Sequence, residues 1–382
     1  MQCEALLQKI EELVPQYIKI WEEVCNIESP TSCKEGVDKV GAYFAGLAEQ
    51  KGWQVEICPQ EKAGDVVIIT MNPDVDARPV TLSGHIDTVH PIGLFGYPPV
   101  HLDEEYIYGP GVSDCKGGVV ASVLAMDALA QCGFRNRPVY LMLQTDEETG
   151  SSTSGQDTIH TICRKAKESV AFLNAEPHPV GQAILTRKGI LRFRFEVHGK
   201  AGHSSICYTA ANAVTEAAHK ILELEKMKDP GGLTCNCGVI QGGTVPNSVA
   251  EECVFFADIR FATQEQAEKA RQIVQQVADH VYVEGCSCTL YQQSSRPAME
   301  HAQRNFDLLD RINELYAENG LPTLKAGAGN GGSDAAYTTI YEIPCIDSIG
   351  ISGSSEHSVR ETAPQSSLAE SAKRQAVVVW GL

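Results

Sequence analysis

The feature that most constrains the fold is a repeated alternation of buried strands and helices that is interrupted once. Short apolar runs such as Val66–Ile69, Val80–Leu82 and Val139–Leu143 alternate with segments of helical spacing, of which Leu6–Val24 is the longest. Short, continuously apolar runs are typical of strands buried on both faces. Strands that alternate with helices predict a layered α/β domain.

A different pattern occupies residues 184–294. Leu191, Phe193, Phe195 and Val197 alternate with polar residues, which predicts a half-exposed antiparallel strand. The following segments have the order helix, strand, strand, helix, strand, which together give the ferredoxin-like βαββαβ arrangement. The α/β pattern then returns. We therefore predict an α/β/α domain made of residues 1–183 and 295–382, with a ferredoxin-like domain of residues 184–294 inserted into it.

Composition excludes several classes of protein. The formal net charge of −18 disfavours nucleic-acid binding, because an acidic surface repels phosphate backbones. No run of apolar residues is long enough to span a membrane, and Met1–Pro15 lacks the apolar segment of a signal peptide. The fourteen cysteines form no CxxC pair, which indicates reduced thiols and a cytoplasmic protein.

Residues that commonly bind metals are concentrated at predicted strand ends and in loops. Open α/β sheets place their sites at such strand ends. The candidates are His85 and Asp87, Asp114, the acidic run Asp146–Glu148, Glu176 and His357.

Three of these segments have an ordinary alternative interpretation. His85 and Asp87 point to the same side of an extended chain, so His85 would bind a metal while Asp87 accepts the proton of its other ring nitrogen; a single His-x-Asp is nevertheless often incidental. Asp114 lies in a glycine-rich loop before a helix, as an N-cap or as a bridging carboxylate. The acidic run at 146–148 is either a solvated loop or a metal ligand beside a general base.

Taken in order, the motifs resemble those of a known enzyme family. The co-catalytic zinc family of glutamate carboxypeptidase, succinyl-diaminopimelate desuccinylase, acetylornithine deacetylase, aminoacylase and dipeptidases has similar motifs between about residues 80 and 360. Here they are HIDTV, GPGVSDCKGG, TDEETGS, NAEP, GKAGHSS, GGTVPNSV, ADIR, GNGGSDAAY and SSEHSV. The resemblance is nearest to the glutamate carboxypeptidase branch, because the fourth ligand is Glu176 and the last is His357.

The resemblance implies a fold, a metal pair and residue roles. The fold is a zinc-peptidase-like α/β/α catalytic domain with an inserted lid or dimerisation domain, through which a homodimer forms. His85 and Glu176 would bind one Zn²⁺, Glu148 and His357 the other, and Asp114 would bridge them; Co²⁺ or Mn²⁺ would substitute. A cis peptide would follow Asp114. The remaining roles are Asp87 orienting His85, Glu147 as general base, His203 at the oxyanion, and Asn247, Arg260, Gly331 and Gly332 holding the substrate.

The expected reaction is hydrolysis of the amide bond that links a C-terminal amino acid to a peptide or acyl group. A zinc-bound hydroxide would attack while Glu147 acts as the base. An N-acyl amino acid deacylase or a dipeptidase of the same family remains an alternative, as do an aminopeptidase and, more remotely, a non-catalytic peptide-binding relative. Cys115 departs from the family pattern, in which Met, Asn or Asp usually follows the bridging aspartate.

Overall fold

The computed structural model describes residues 3–228 and 230–382. The helices, in chain order, are α1 (Glu4–Cys25), α2 (Lys34–Gln50), α3 (Lys116–Gln131), α4 (Asp157–Ala166), α5 (Ala213–Leu224), α6 (Gln264–Asp279), α7 (Gln303–Glu318) and α8 (Ser366–Gly381). No helix in these ranges combines the length and the apolar character needed to cross a membrane.

The strands alternate with these helices. In chain order they are β1 (Gln54–Cys58), β2 (Val66–Met71), β3 (Val80–His85), β4 (His101–Leu102), β5 (Tyr106–Tyr108), β6 (Val139–Gln144), β7 (Ala171–Asn174), β8 (Gln182–Arg187), β9 (Gly189–His198), β10 (Gly202–His203), β11 (Thr234–Gly242), β12 (Ser248–Val249), β13 (Glu252–Phe261), β14 (Ser287–Arg296), β15 (Lys325–Gly329), β16 (Cys345–Ile346) and β17 (Thr362–Pro364).

The chain folds as two compact units. The larger contains the residues up to Thr186 together with His301–Gly329 and Ser333–Leu382, and the smaller contains Arg187–Glu300 and Asn330–Gly332. The predicted insertion at residues 184–294 therefore starts three residues before the smaller unit and ends six residues short of Glu300.

A mixed sheet forms the centre of the larger unit. Its strand order is β1-β2-β6-β3-β7-β16, in which β6, β3, β7 and β16 are parallel and β1 and β2 pair antiparallel. Every residue of β2, β3 and β7 is buried, so both faces of the sheet are covered. Parallel strands place their carboxyl ends at one edge, and the chain segments that leave β3, β6 and β7 there are those that carry the predicted metal ligands.

Two glycines let helix α3 start close to this edge. A Cβ atom on Gly117 would lie 2.2 Å from the Val112 carbonyl oxygen, and one on Gly118 would lie 2.1 Å from the Ala175 carbonyl oxygen. Real Cβ atoms do not approach so closely, so the sequence Gly117-Gly118 is what allows the helix to pack against the segment that contains Glu176.

A second, smaller sheet in the larger unit joins two distant loops. In this sheet β17 pairs antiparallel with β5, and Thr362 lies opposite Tyr108. The loop after β5 leads to Asp114, and the segment before β17 carries His357. The pairing therefore brings these two stretches side by side although they are more than 240 positions apart.

The smaller unit has the predicted ferredoxin-like topology. Its antiparallel sheet has the strand order β11-β13-β9-β14, and α5 and α6 pack against it. The rings of Phe195 and Phe255 stack at 4.4 Å in its core. Helix α5 starts at Ala213, because the Asn212 side chain accepts hydrogen bonds from the backbone N–H groups of Val214 and Thr215 and so caps it.

Candidate metal centre

The first group of possible ligands joins residues from the ends of two parallel strands. His85 is the last residue of β3, and Glu176 follows β7. The His85 Nε2 atom lies 3.1 Å from Asp114 Oδ1 and 3.9 Å from Glu176 Oε1. One imidazole and two carboxylates, with ligand atoms within 4.8 Å of one another, form a donor set that suits a divalent cation.

The second group shares Asp114 with the first. His357 Nε2 lies 3.2 Å from Asp114 Oδ2 and 3.2 Å from Glu148 Oε2. These three ligand atoms also lie within 4.8 Å of one another. The two oxygens of Asp114 thus face two different histidines, which is the geometry required of a carboxylate that bridges two cations.

Burial and crowding shift the pKa values of the candidate ligands. Burial raises the pKa of Glu148 to about 7 and places the pKa of Glu176 well above its usual range. Burial also opposes ionisation of Asp114, but hydrogen bonds from His357 and His85 hold its pKa below the usual range. Hydrogen bonds to Asp114 and Glu148 raise the pKa of His357 to about 11. Crowded carboxylates that retain protons are the groups that a divalent cation stabilises in the ionised form.

Asp87 has more contacts than its predicted role required. The Nδ1 atom of His85 is 3.0 Å from the Asp87 carbonyl oxygen and 3.4 Å from its carboxylate, so the backbone oxygen is the nearer partner. The carboxylate accepts hydrogen bonds from the Thr31 hydroxyl at 2.6 Å and from the backbone N–H groups of Glu147 and Glu148, each at 3.2 Å. Asp87 therefore holds the acidic turn as well as flanking His85.

Glu147 starts the short 3₁₀ turn Glu147–Thr149 that directly follows β6. Its side chain is buried, and its charge contributes to the raised pKa values of Glu176 and Glu148. Glu147, which is assigned the role of general base, therefore lies near Glu176 of the first ligand group and Glu148 of the second.

The peptide bond between Asp114 and Cys115 is cis, as the resemblance implied. The Cys115 thiol is buried and donates to the Ala175 carbonyl oxygen at 3.3 Å.

Sequence reasoning missed one residue that contacts this centre. Glu361 is almost completely buried and accepts a hydrogen bond from the backbone N–H of Asp114 at 3.0 Å. Its only signal in the sequence is its position four residues after His357, in a polar loop that reads as solvent-exposed.

His203 and Asn247 belong to the smaller unit and lie on paired strands. His203 in β10 is opposite Ser248 in β12, and the backbone N–H of Ser204 donates to the Asn247 carbonyl oxygen at 3.0 Å. The His203 ring is exposed, and its Nδ1 atom accepts the backbone N–H of Ser205 at 3.2 Å. In a neutral ring this places the proton on Nε2.

Arg260 is already partnered within the smaller unit. Its Nε atom donates to Asp258 Oδ1 at 2.6 Å, and Arg192 Nε donates to the other oxygen of Asp258 at 2.7 Å. One carboxylate therefore serves two guanidinium groups, which leaves an excess of one positive charge within this group of three side chains.

Gly331 and Gly332, which the resemblance assigns to substrate binding, lie in a glycine-rich loop whose sequence predicts a following helix. That helix is only the six-residue 3₁₀ segment Asp334–Thr339, which is too short to present a helix N-terminus to an anion. The Gly331 carbonyl accepts from Arg187 Nη1 at 3.1 Å, and a Cβ on Gly332 would lie 2.7 Å from Arg296 Nη1. The absence of a side chain at Gly332 therefore allows Arg296 to pack closely against this loop.

Two sequence comparisons match this chain to peptidases. Residues 185–286 match the family model described as a peptidase dimerisation domain. Carboxypeptidase G2 of Pseudomonas sp. (strain RS-16) is 28% identical over 361 residues, which cover 92% of this chain and 86% of that protein.

Solved structures agree on the fold. The aminopeptidase PepT of Bacillus cereus superposes with a TM-score of 0.77 at 18% identity, covering 96% of this chain and 98% of that one. The Bacillus subtilis YXEP protein, described as a dinuclear metal-binding peptidase of the M20 family, gives a TM-score of 0.69 at 15% identity and covers 97% and 98% of the two chains. These likenesses confirm the predicted fold class, an α/β domain with an inserted ferredoxin-like domain. The chain therefore carries a peptidase dimerisation domain and is similar in sequence and in fold to metallopeptidases of the M20 family.

Proposed function

We propose that the protein is a two-zinc hydrolase that cleaves the amide bond linking a C-terminal amino acid to a peptide or an acyl group. The observation that carries this proposal is the position of Asp114, whose two oxygens face His85 and His357 at 3.1 and 3.2 Å. The charge of Glu147 also contributes to the raised pKa of one carboxyl in each group. His85 and Glu176 would hold one ion, Glu148 and His357 the other, and Asp114 both. The imidazole and carboxylate donors suit zinc, with cobalt or manganese as substitutes.

Residues of this chain would transfer the proton and position the groups that react with the substrate. Bound metal ions supply Lewis acidity, which activates water and polarises the scissile carbonyl. Glu147 would accept the proton of the attacking water and pass it to the leaving nitrogen. Asp87 would keep Glu147 in place through the backbone N–H at 3.2 Å.

His203 would stabilise the oxyanion of the tetrahedral intermediate. Its Nδ1 atom already accepts the backbone N–H of Ser205, so the exposed Nε2–H of the neutral ring is available as a donor. A homodimer through the smaller unit is supported by the peptidase dimerisation domain that residues 185–286 match.

Arg260 would bind the terminal carboxylate of the substrate. Asn247, Gly331 and Gly332, which the resemblance also assigns to substrate binding, would help to hold the same substrate. Asp258 engages Nε and Nη2 of Arg260 and leaves Nη1 for a ligand. A guanidinium recognises carboxylates through such N–H pairs. Similarity to carboxypeptidase G2 over most of both chains favours a carboxypeptidase over the aminopeptidase reaction named for a structural neighbour.

The experiment that tests this proposal compares substrates that differ at one terminus. Blocked dipeptides with varied C-terminal residues are offered with a free carboxylate and as the corresponding carboxamide, to the zinc-loaded wild type. We expect hydrolysis of the free acid only, and Glu147→Gln is expected to keep its metals while losing roughly 10²–10⁴-fold in kcat. Glu168→Gln, an exposed change in the same unit, serves as the control.

Three outcomes separate the alternatives. Equal cleavage of acid and amide would contradict the carboxylate requirement. Preference for simple N-acyl amino acids would favour a deacylase, and a requirement for a free N-terminus would favour a dipeptidase or an aminopeptidase.

We also propose that the protein resides in a reducing, cytoplasmic compartment. This is supported by its fourteen cysteines, which are free thiols and many of which are buried.

A further inference from the structure

Glu361 has an environment that its position in the sequence does not suggest. The side chain is 1% exposed, and its carboxylate accepts four hydrogen bonds. Oε1 accepts the backbone N–H groups of Ser113 at 2.9 Å and Asp114 at 3.0 Å. Oε2 accepts the backbone N–H of Gly111 at 3.1 Å and lies 3.0 Å from His90 Nε2. All the strong acceptor positions of this carboxylate are used.

These four donors come from two of the segments that carry metal ligands, and Glu361 itself belongs to a third. His90 follows His85 by five residues, and the three backbone donors lie in the loop that ends at Asp114. The backbone of Glu361 adds to the connection, because its carbonyl accepts the Gly109 N–H at 3.2 Å and its own N–H donates to Ser358 at 3.1 Å. One buried carboxylate therefore ties together the loops of His85, Asp114 and His357.

An ionised carboxylate is the side chain that fits this environment. A buried backbone N–H without an acceptor costs about 1–3 kcal/mol, and three such groups converge here. A neutral amide of the same shape has a single acceptor oxygen and would turn its NH₂ group toward one of the donors. Glu361 thus adds a negative charge beside an already acidic cluster, which is electrostatically unfavourable. We attribute its presence to the loop geometry that its hydrogen bonds enforce.

We infer that Glu361 is a positioning residue that fixes Asp114 between the two cation sites, so that metal affinity depends on it. The inference rests on the proposed metal centre. The Asp114 backbone N–H is held by Glu361 while the Asp114 carboxylate reaches His85 and His357 on either side. Release of the loop would let Asp114 move away from both. Outer partners of metal ligands commonly affect affinity by about 10- to 100-fold.

Metal titration of the full-length protein tests the inference. Wild type, Glu361→Gln, Glu361→Asp and the control Glu370→Gln, whose side chain is 61% exposed on α8, are stripped with a chelator and titrated with Co²⁺. Stoichiometry and Kd are followed by the absorption spectrum of the bound ion, and the melting temperature is recorded with and without metal. We expect Glu361→Gln to weaken the binding of at least one ion by about 10- to 100-fold. Glu361→Asp, which keeps the charge, should fall between Glu361→Gln and wild type, and the control should match wild type.

A purely structural role gives a different result. The melting temperature would then fall equally with and without Co²⁺, while Kd and the spectrum stayed at their wild-type values, and the inference would be wrong. If Glu361→Gln does not fold, Glu361→Asp decides the question alone, since unchanged Kd values in that variant overturn it and weakened ones support it. Failure of the wild type itself to bind two ions would instead refute the proposed centre, which makes the two failures distinguishable.

Discussion

The backbone N–H of Glu147 donates to the carboxylate of Asp87 at 3.2 Å. The carbonyl oxygen of the same aspartate lies 3.0 Å from Nδ1 of His85. The proposed base and a proposed metal ligand are therefore held by one residue, and a change at Asp87 affects both.

Replacement of Asp87 by asparagine tests this shared role. Asparagine has one acceptor oxygen, so at least one of the three donors on the carboxylate loses its partner. We expect Asp87→Asn to lower kcat and to weaken metal binding by about 10- to 100-fold, as removal of an outer partner of a metal ligand usually does. Kinetics with saturating metal and a metal titration measure the two effects, with the exposed Asp76→Asn as control. Unchanged kcat and Kd would show that Asp87 does not hold the centre.

The metal-free protein should lose stability as the pH rises. The pKa of Glu148 is raised by burial from 4.5 to about 7, so its folded form binds a proton more tightly than its unfolded form. This contribution is present below pH 4.5 and is lost as the pH rises through 7. The pKa of His357, raised from 6.5 to about 11 by Asp114 and Glu148, acts in the same direction at higher pH.

Urea unfolding of the chelator-treated protein between pH 4.5 and 8 measures this dependence. Glu148→Gln cannot titrate, so its free energy of unfolding should fall less over this range than that of the wild type. Bound metal should also reduce the fall, because a cation stabilises the ionised carboxylate. A wild-type stability that rises through this range in parallel with Glu148→Gln would contradict the assignment.

Arg260 should determine the need for a free carboxylate. A charge-assisted hydrogen bond contributes about 1.5–3 kcal/mol, so Arg260→Ala should reduce kcat/KM for the free-acid substrate by about 10- to 150-fold. The rate on the matching carboxamide should not change. Arg311→Ala, an exposed change on α7, is the control. An equal loss on both substrates would indicate that Arg260 stabilises the fold and does not recognise the carboxylate.

Gly118 should be intolerant of a side chain. A Cβ there would lie 2.1 Å from the Ala175 carbonyl oxygen, and that segment leads directly to Glu176. Overpacking of this kind costs about 1–3 kcal/mol, so Gly118→Ala should lower the free energy of unfolding and weaken metal binding. The matched control is Gly46→Ala in α2, where a Cβ meets nothing within 4 Å and alanine should stabilise the helix by about 0.5–1 kcal/mol. Equal behaviour of the two variants would refute the packing argument.

Local patterns in the sequence were sufficient to predict the strands and the ligand-bearing segments. The apolar runs before His85, Glu147 and Glu176 indicated three strands, and parallel packing places the ends of those strands at one edge. The sequence pattern of residues 264–281 predicts a helix over that whole range, but α6 ends at Asp279 because His280 adopts an extended backbone. Small differences of this kind did not affect the organisation.

Contacts between distant parts of the chain were not predictable. Glu361 and its partner Ser113 are 248 positions apart, and nothing near either residue signals the contact. Arg260 and Arg192 share the carboxylate of Asp258, and this contact requires the register between β9 and β13 that places Asp258 opposite Arg192. Such interactions are set by tertiary packing, for which a single sequence offers no periodic signal.

The central claim is that five side chains of the larger unit hold two cations with Asp114 between them. Anomalous diffraction at the zinc absorption edge, from crystals of the zinc-loaded protein, tests it most directly. We expect two anomalous peaks, one contacting His85 and Glu176, the other contacting Glu148 and His357, and both contacting Asp114. A single peak, or peaks at other residues, would contradict the account.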